Sequence, residues 1–160
     1  MSKRYYVAYG SNLYVELMKE RCPDAELVGT AVLSDYRLLY KGKWSESWLT
    51  IEHCEGGRVP VAIWLVSRRD EMMMDRYEAY PVLYYKEDLL LSEVDCGDSI
   101  LKNIQAFVYI IQSDNIPAIP SAAYVAECME GYRRFGFDTS LLEEALRETI
   151  RLTQEPDRRG

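Results

Sequence analysis

Between Arg4 and Tyr9 apolar and aromatic residues crowd together with only weak alternation and run straight into Gly10-Ser11-Asn12, a pattern that predicts a strand ending in a tight turn. A short helix is predicted from Leu13 to Arg21, with Leu13, Leu17 and Met18 on one side and Pro23 just past its end. From Ala25 to Leu65 the pattern is strand-like, over Leu27 to Tyr40, Trp48 to His53 and Val59 to Val66. Gly56-Gly57 reads as the hairpin turn between the last two, and Pro60 as an edge or a bulge. Ser67 and Asp70 have the spacing of a capping box, opening a helix through Met72-Met73-Met74 to about Tyr77; Pro81 bars its continuation.

Two long β segments follow, Val82 to Val94 and Ile100 to Gln112, turning at Asp95-Cys96-Gly97-Asp98. In the second, both alternating sets are apolar (Ala106, Val108, Ile110 and Phe107, Tyr109, Ile111), which predicts that both faces are covered. After the loop Ile116 to Pro120, helices are predicted from Ser121 to Arg134 and from near Ser140 through Ile150, the latter supported by Glu143 and Arg147 four residues apart. Strands first and helices last, with one early and one middle helix, give an α+β class, and several long strands with few clear edges predict a curled sheet or small barrel.

With 160 residues the chain has room for one core, expected over 1–154, with a loose tail over 155–160. The net charge of −7 repels a phosphate backbone or an anionic membrane surface, so nucleic acid and membrane are poor partners. The amino-terminal segment is too short and polar for a signal-peptide core, and no apolar run reaches spanning length. Cys22, Cys54, Cys96 and Cys128 are scattered without a CxxC pair, which points to reduced thiols in a cytoplasmic protein and to no zinc site.

Two residue groups carry candidate chemistry. A glycine-containing turn between strand and helix leaves backbone N–H groups free to face an anion or a developing oxyanion. Ser11 and Asn12 are good helix caps that also have ligand-binding atoms, so Tyr9-Gly10-Ser11-Asn12 reads either as such a site or as an ordinary capped turn. Glu78 stands at the predicted end of a helix, where the macrodipole disfavours a carboxylate, among Tyr77, Ala79, Tyr80 and Pro81. Burial there raises a carboxyl pKa toward neutrality and suits a proton carrier; full solvation makes it one surface acid of 26. His53, the lone histidine, lies on a strand with no nucleophile or metal spacing around it and reads as structural or exposed. The Met72–Met74 run reads as core filling, and Tyr5, Tyr6, Tyr84 and Tyr85 as strand-favouring aromatics.

Taken together, Tyr9-Gly10-Ser11-Asn12-Leu13, Asp75-Arg76-Tyr77-Glu78-Ala79-Tyr80 and Pro120-Ser121-Ala122-Ala123-Tyr124 resemble the γ-glutamylcyclotransferase-like superfamily, with its AIG2-like and butirosin-maturation members. The resemblance spans almost the whole chain and implies a small mixed β-barrel flanked by helices. It implies that Tyr9, Gly10, Ser11, Asn12 and Leu13 bind a γ-glutamyl group, that Glu78 is the acid/base, and that Tyr124 lines the same pocket. It also implies a small-molecule γ-glutamyl substrate, no metal or cofactor, and a monomer or homodimer. One departure is visible: Ala79 replaces the glycine that usually follows the glutamate, so the helix end is expected to lack its αL residue. The activity implied is release of 5-oxoproline and a free amine. A specialised γ-glutamyl biosynthetic intermediate as substrate, and a non-catalytic binding domain, stand as alternatives.

Overall fold

The computed structural model describes residues 2–43 and 46–155; of the expected tail, residues 156–160 lie outside the described part. Six strands and four helices follow in the order β1 (Arg4–Ala8), α1 (Val15–Arg21), β2 (Glu26–Lys43), β3 (Glu46–Val66), α2 (Arg68–Tyr77), β4 (Tyr84–Asp95), β5 (Ile100–Ile111), β6 (Ile116–Pro117), α3 (Ala122–Phe135) and α4 (Ser140–Gln154). A 3-10 turn over Ser11–Leu13 separates β1 from α1.

The strands close into a small mixed barrel. β1 pairs antiparallel with β3 (Arg4↔Val66 to Ala8↔Ala62) and parallel with β5 (Tyr5↔Ala106, Tyr6↔Phe107). β5 pairs antiparallel with β4, β4 meets β2 at Thr30↔Asp95, and β2 pairs with β3 along their length, completing a five-stranded ring. At the β2–β4 closure Gly29 is needed: a Cβ there would stand 2.2 Å from the Asp95 carbonyl oxygen. A strand bonded on both sides has no free edge, and in β1 both faces are covered as well: Tyr6, Val7 and Ala8 are all buried, which is why its alternation is weak. The same holds for β5, where Ala106 through Ile111 are buried consecutively, as their composition predicts.

The Gly56-Gly57 signal is real but is not a hairpin. β3 continues through it as one strand; the register jumps from Ser34↔Arg58 to Tyr36↔His53, so Cys54–Gly57 bulge out opposite Asp35. Asp35 (φ 65°) and Gly56 (φ 80°) share the irregularity, and the Gly56 amide donates to Asp35 Oδ1 at 2.9 Å. A glycine pair marks a break in pleating, and local sequence does not distinguish a turn from a large bulge. The β2–β3 hairpin instead closes beyond the pair Lys43↔Glu46. Two smaller corrections concern β6, a two-residue strand on β2 where a loop was predicted, and β4, which begins at Tyr84 rather than Val82.

The helices form largely as predicted. In α2 the capping box is complete, with Ser67 accepting from the Asp70 amide and Asp70 from that of Ser67. Of the three methionines only Met74 fills the core; Met72 and Met73 are exposed, because consecutive helical residues cannot share one face. Glu143 and Arg147 do not pair in α4; Arg151 bonds Glu148 instead, at 2.5 Å. α3 starts on a Ser121 cap, ends at Gly136 in αL, and crosses directly over the 3-10 turn. All four cysteines are free, and His53 is exposed with its ring against Tyr36, at 4.5 Å between centroids.

Candidate active site

Pieces of chain far apart in sequence meet at one cavity of about 420 Å³. Its wall includes Tyr9, Gly10, Ser11 and Asn12 from the turn after β1, Glu78 and Ala79 from the end of α2, Trp48 and Leu49 from β3, and Tyr124 from α3. The first two motifs are separated by more than sixty residues of sequence; α2, which carries the second, follows β3, the antiparallel neighbour of β1, and both motifs line the cavity. Tyr109 on β5 then ties the two sides. The Tyr9 hydroxyl donates to the Tyr109 carbonyl oxygen at 2.6 Å, and the Tyr109 hydroxyl donates to Asp75 Oδ1 at 2.6 Å, one helical turn before Glu78.

Six of the seven residues expected at the site line this cavity; Leu13 does not. Its side chain is fully buried beneath the turn and faces α3, where a Cβ on Gly131 would stand 2.6 Å from that of Leu13. Leu13 therefore supports the turn from below, and its amide closes it by donating to the Gly10 carbonyl at 3.0 Å. Nor do Ser11 and Asn12 cap α1. The 3-10 turn intervenes, Tyr14 occupies the cap position, and no side chain bonds there. The Asn12 side chain is instead committed inward, donating from Nδ2 to the Tyr6 hydroxyl at 2.8 Å and accepting from Arg21 Nη1 at 2.5 Å. The Ser11 and Asn12 amides, first in the 3-10 turn, have no partner within it. A Cβ on Gly10 would sit 3.5 Å from Leu49 Cδ2 and 3.7 Å from the Tyr124 hydroxyl, so the bare glycine keeps open the space between turn and Tyr124.

Glu78 ends α2 in a complete Schellman motif: the Tyr80 amide donates to the Asp75 carbonyl at 2.8 Å and the Ala79 amide to the Arg76 carbonyl at 3.2 Å. The expectation that Ala79 deprives the helix of its αL residue is wrong. Ala79 adopts φ 49° despite its Cβ, because the two bonds and the docking of α2 on the barrel impose that conformation. Ala79 thus supplies the αL residue itself, at the cost of the strain that a Cβ has in that region. Ala79→Gly is expected to raise stability by roughly 0.5–1 kcal/mol, the αL relief exceeding the added freedom of the unfolded chain; an unchanged or lower melting temperature would contradict this reading.

The Glu78 carboxylate opens onto the cavity but is otherwise surrounded by protein. Desolvation pushes its pKa up to about 7, partly opposed by the positive charge of Arg21. The tyrosines around it are held well above their ordinary range, Tyr9, Tyr84 and Tyr124 first by burial and then by neighbouring groups including Glu78, so they remain neutral hydrogen-bonding groups. Tyr124 accepts from the Leu49 amide at 3.0 Å, and the Tyr84 hydroxyl donates to the Leu49 carbonyl at 3.1 Å.

These features coincide with the comparisons to known proteins. The sequence profile of the family described as "Gamma-glutamyl cyclotransferase, AIG2-like" matches residues 6–126, from β1 through the start of α3. The chain belongs to this family. A γ-glutamylcyclotransferase from Bos taurus is 34% identical over 80 residues, 46% of this chain; the match spans 43% of that relative's length. A solved γ-glutamyl cyclotransferase structure superposes with a TM-score of 0.72 at 22% identity, covering 99% of this chain and 92% of the other. YkqA from Bacillus subtilis gives a TM-score of 0.68 at 18% identity, over 95% of this chain and 56% of its own. At such identities the structural likeness establishes the fold of the γ-glutamylcyclotransferase family and no more.

Arg21, Tyr6, Tyr84 and Tyr109 also line the cavity and were not marked by any linear pattern. The tyrosines are indistinguishable in sequence from other strand aromatics. Arg21 looks like a basic last-turn residue, suited to the helix dipole. Among the described residues there is no cluster of three or more metal-ligating side chains, and no helix is long and apolar enough to cross a membrane.

Proposed function

We propose that this member of the family is a γ-glutamylcyclotransferase that converts a γ-glutamyl amine, amino acid or peptide into 5-oxoproline and the free amine, with Glu78 as general acid/base. The observation that carries this reading is a single carboxylate with a pKa near 7, opening onto the same cavity as the Gly10–Asn12 turn.

The substrate contains its own nucleophile. Folding the γ-glutamyl chain back brings the α-nitrogen to the γ-carbonyl carbon and closes a five-membered ring, so the enzyme has to position, deprotonate and stabilise. Ionised Glu78 takes a proton from the α-ammonium. The freed nitrogen pair attacks the carbonyl, forming the ring C–N bond and a tetrahedral oxyanion that the free amides of the turn stabilise. Collapse breaks the bond to the leaving nitrogen, which Glu78 protonates. Over the whole reaction the α-nitrogen loses two protons and a released primary amine gains two, departing as an ammonium ion. Tyr9, Tyr84 and Tyr124, kept neutral by burial, shape the pocket and shield it from water.

The test is incubation with a panel of γ-glutamyl amines, amino acids and dipeptides, with 5-oxoproline detected by mass spectrometry. Release from at least one class is expected. Release from none would favour a binding domain of the same fold.

A further inference from the structure

Among the described residues lining the cavity, Arg21 is the only arginine or lysine, against three carboxylates, Glu46, Glu78 and Glu127. A γ-glutamyl group brings a carboxylate of its own on the α-carbon, and an anion entering a cavity so lined is repelled unless a cation receives it. We propose that Arg21 binds the α-carboxylate of the γ-glutamyl group, leaving the Ser11 and Asn12 amides to the oxyanion. The proposal rests on the cyclotransferase reading for its ligand and assigns a role that the turn motif does not contain.

The geometry supports it in three ways. Arg21 ends α1 and spans both halves of the site: Nη1 donates to Asn12 Oδ1 at 2.5 Å, and the guanidinium carbon lies 3.5 Å above the ring centre of Tyr77, the residue before Glu78. Stacking occupies one face of the guanidinium, and Nη1 is engaged with Asn12 and, at 3.5 Å, with Ser11 Oγ; the donors left for a carboxylate are those of Nη2 and the remaining N–H of Nη1, which together form an end-on fork. The Nε–H is shut off from solvent without an acceptor and offers nothing to a ligand, whereas the charge of the guanidinium is felt at Glu78, where it opposes the rise in pKa, so the cation and the base act on one cavity. A carboxylate held here would also anchor the α-carbon, and with it the α-amine, between the turn and Glu78.

The discriminating probe is a substrate without the carboxylate. The best γ-glutamyl compound of the panel is compared with its 4-aminobutyryl analogue, which has hydrogen in place of the α-carboxylate and cyclises to 2-pyrrolidinone. Wild type is expected to favour the γ-glutamyl compound by on the order of 10²-fold in kcat/KM, and Arg21→Leu to reduce that ratio to a few-fold. The ratio is taken within one enzyme sample, so it is insensitive to the fraction folded and to any change in Glu78 common to both substrates. Should Arg21→Leu fail to fold, Arg21→Lys, which keeps the charge but loses the fork, is expected to lower the ratio about tenfold. An undiminished ratio in the variants overturns the assignment. Binding supplies an independent arm: titration followed by NMR should show 5-oxoproline bound more tightly than 2-pyrrolidinone by wild type and equally by Arg21→Leu. Equal or absent binding by wild type overturns the proposal, whereas carboxylate-dependent binding without turnover of any panel compound refutes the cyclotransferase reading and leaves Arg21 in place.

Discussion

Replacing Glu78 by glutamine is expected to reduce turnover by on the order of 10²–10⁴ while making the protein more stable above neutral pH. The two effects have one cause. The native pKa of Glu78 is raised from an ordinary 4.5 to about 7, chiefly by desolvation. Between those values the native state holds a proton that the unfolded chain has released, so stability falls as pH rises, and the penalty is complete above pH 7, on the order of 3 kcal/mol. Glutamine carries no charge to desolvate. Glu78→Gln should therefore melt higher than wild type at pH 8 and about the same at pH 4.5. The pH–rate profile of wild type adds a second reading of the same group: kcat/KM should rise with pH through an inflection near 7, because the base must be ionised to accept the ammonium proton. A folded Glu78→Gln variant with full turnover removes Glu78 from the mechanism. Reduced turnover with no gain in stability at pH 8 would show that its carboxylate is solvated and that its pKa is ordinary.

A single methyl group at Gly131 is expected to destabilise the protein by about 2 kcal/mol, lowering the melting temperature by roughly 4–8 °C. In α3 this glycine meets the underside of the 3-10 turn. The Cβ of alanine would lie 2.6 Å from Leu13 Cβ, 3.0 Å from the Leu13 carbonyl carbon and 3.2 Å from the Tyr14 amide nitrogen. Two of those atoms are backbone, so no rotamer change relieves the overlap, and α3 must move away from the turn. The better helix propensity of alanine offsets about 1 kcal/mol at most. Moving α3 shifts Tyr124 away from Leu49 and Gly10, so activity should fall together with stability. Thermal denaturation of Gly131→Ala decides the point; an unchanged melting temperature would mean that helix and turn are not in the close contact described.

The two predictions concern residues of different legibility. Glu78 could be marked as a candidate because its surroundings are local (a capping box at Ser67 sets the start of α2, Pro81 limits its end, and the aromatic neighbours hint at burial), and the family resemblance is what set it above the other acids. The turn after β1 was legible for the same reason, a strand-like run stopping at Gly10-Ser11-Asn12. So were the class of fold, the helix starts at Ser67 and Ser121, and the doubly covered β5, since each depends on periodicity or on a cap within a few residues.

Whatever depends on partners distant in sequence was decided by the tertiary structure. Whether Gly56-Gly57 turns a chain or bulges it depends on Asp35 across the ladder, and whether Ala79 adopts αL depends on the docking of α2 against the barrel. The assignments of Leu13 to the core and of Arg21 to the cavity follow from how α3 and Tyr77 pack around them, and neither contact has a counterpart in the linear pattern. The sequence by itself determined the class of fold and most of the helices and strands, and proposed a turn and a glutamate. Only the tertiary structure, with α2 packed against the closed ring, placed them at one cavity and desolvated the carboxylate enough to bring its pKa near 7.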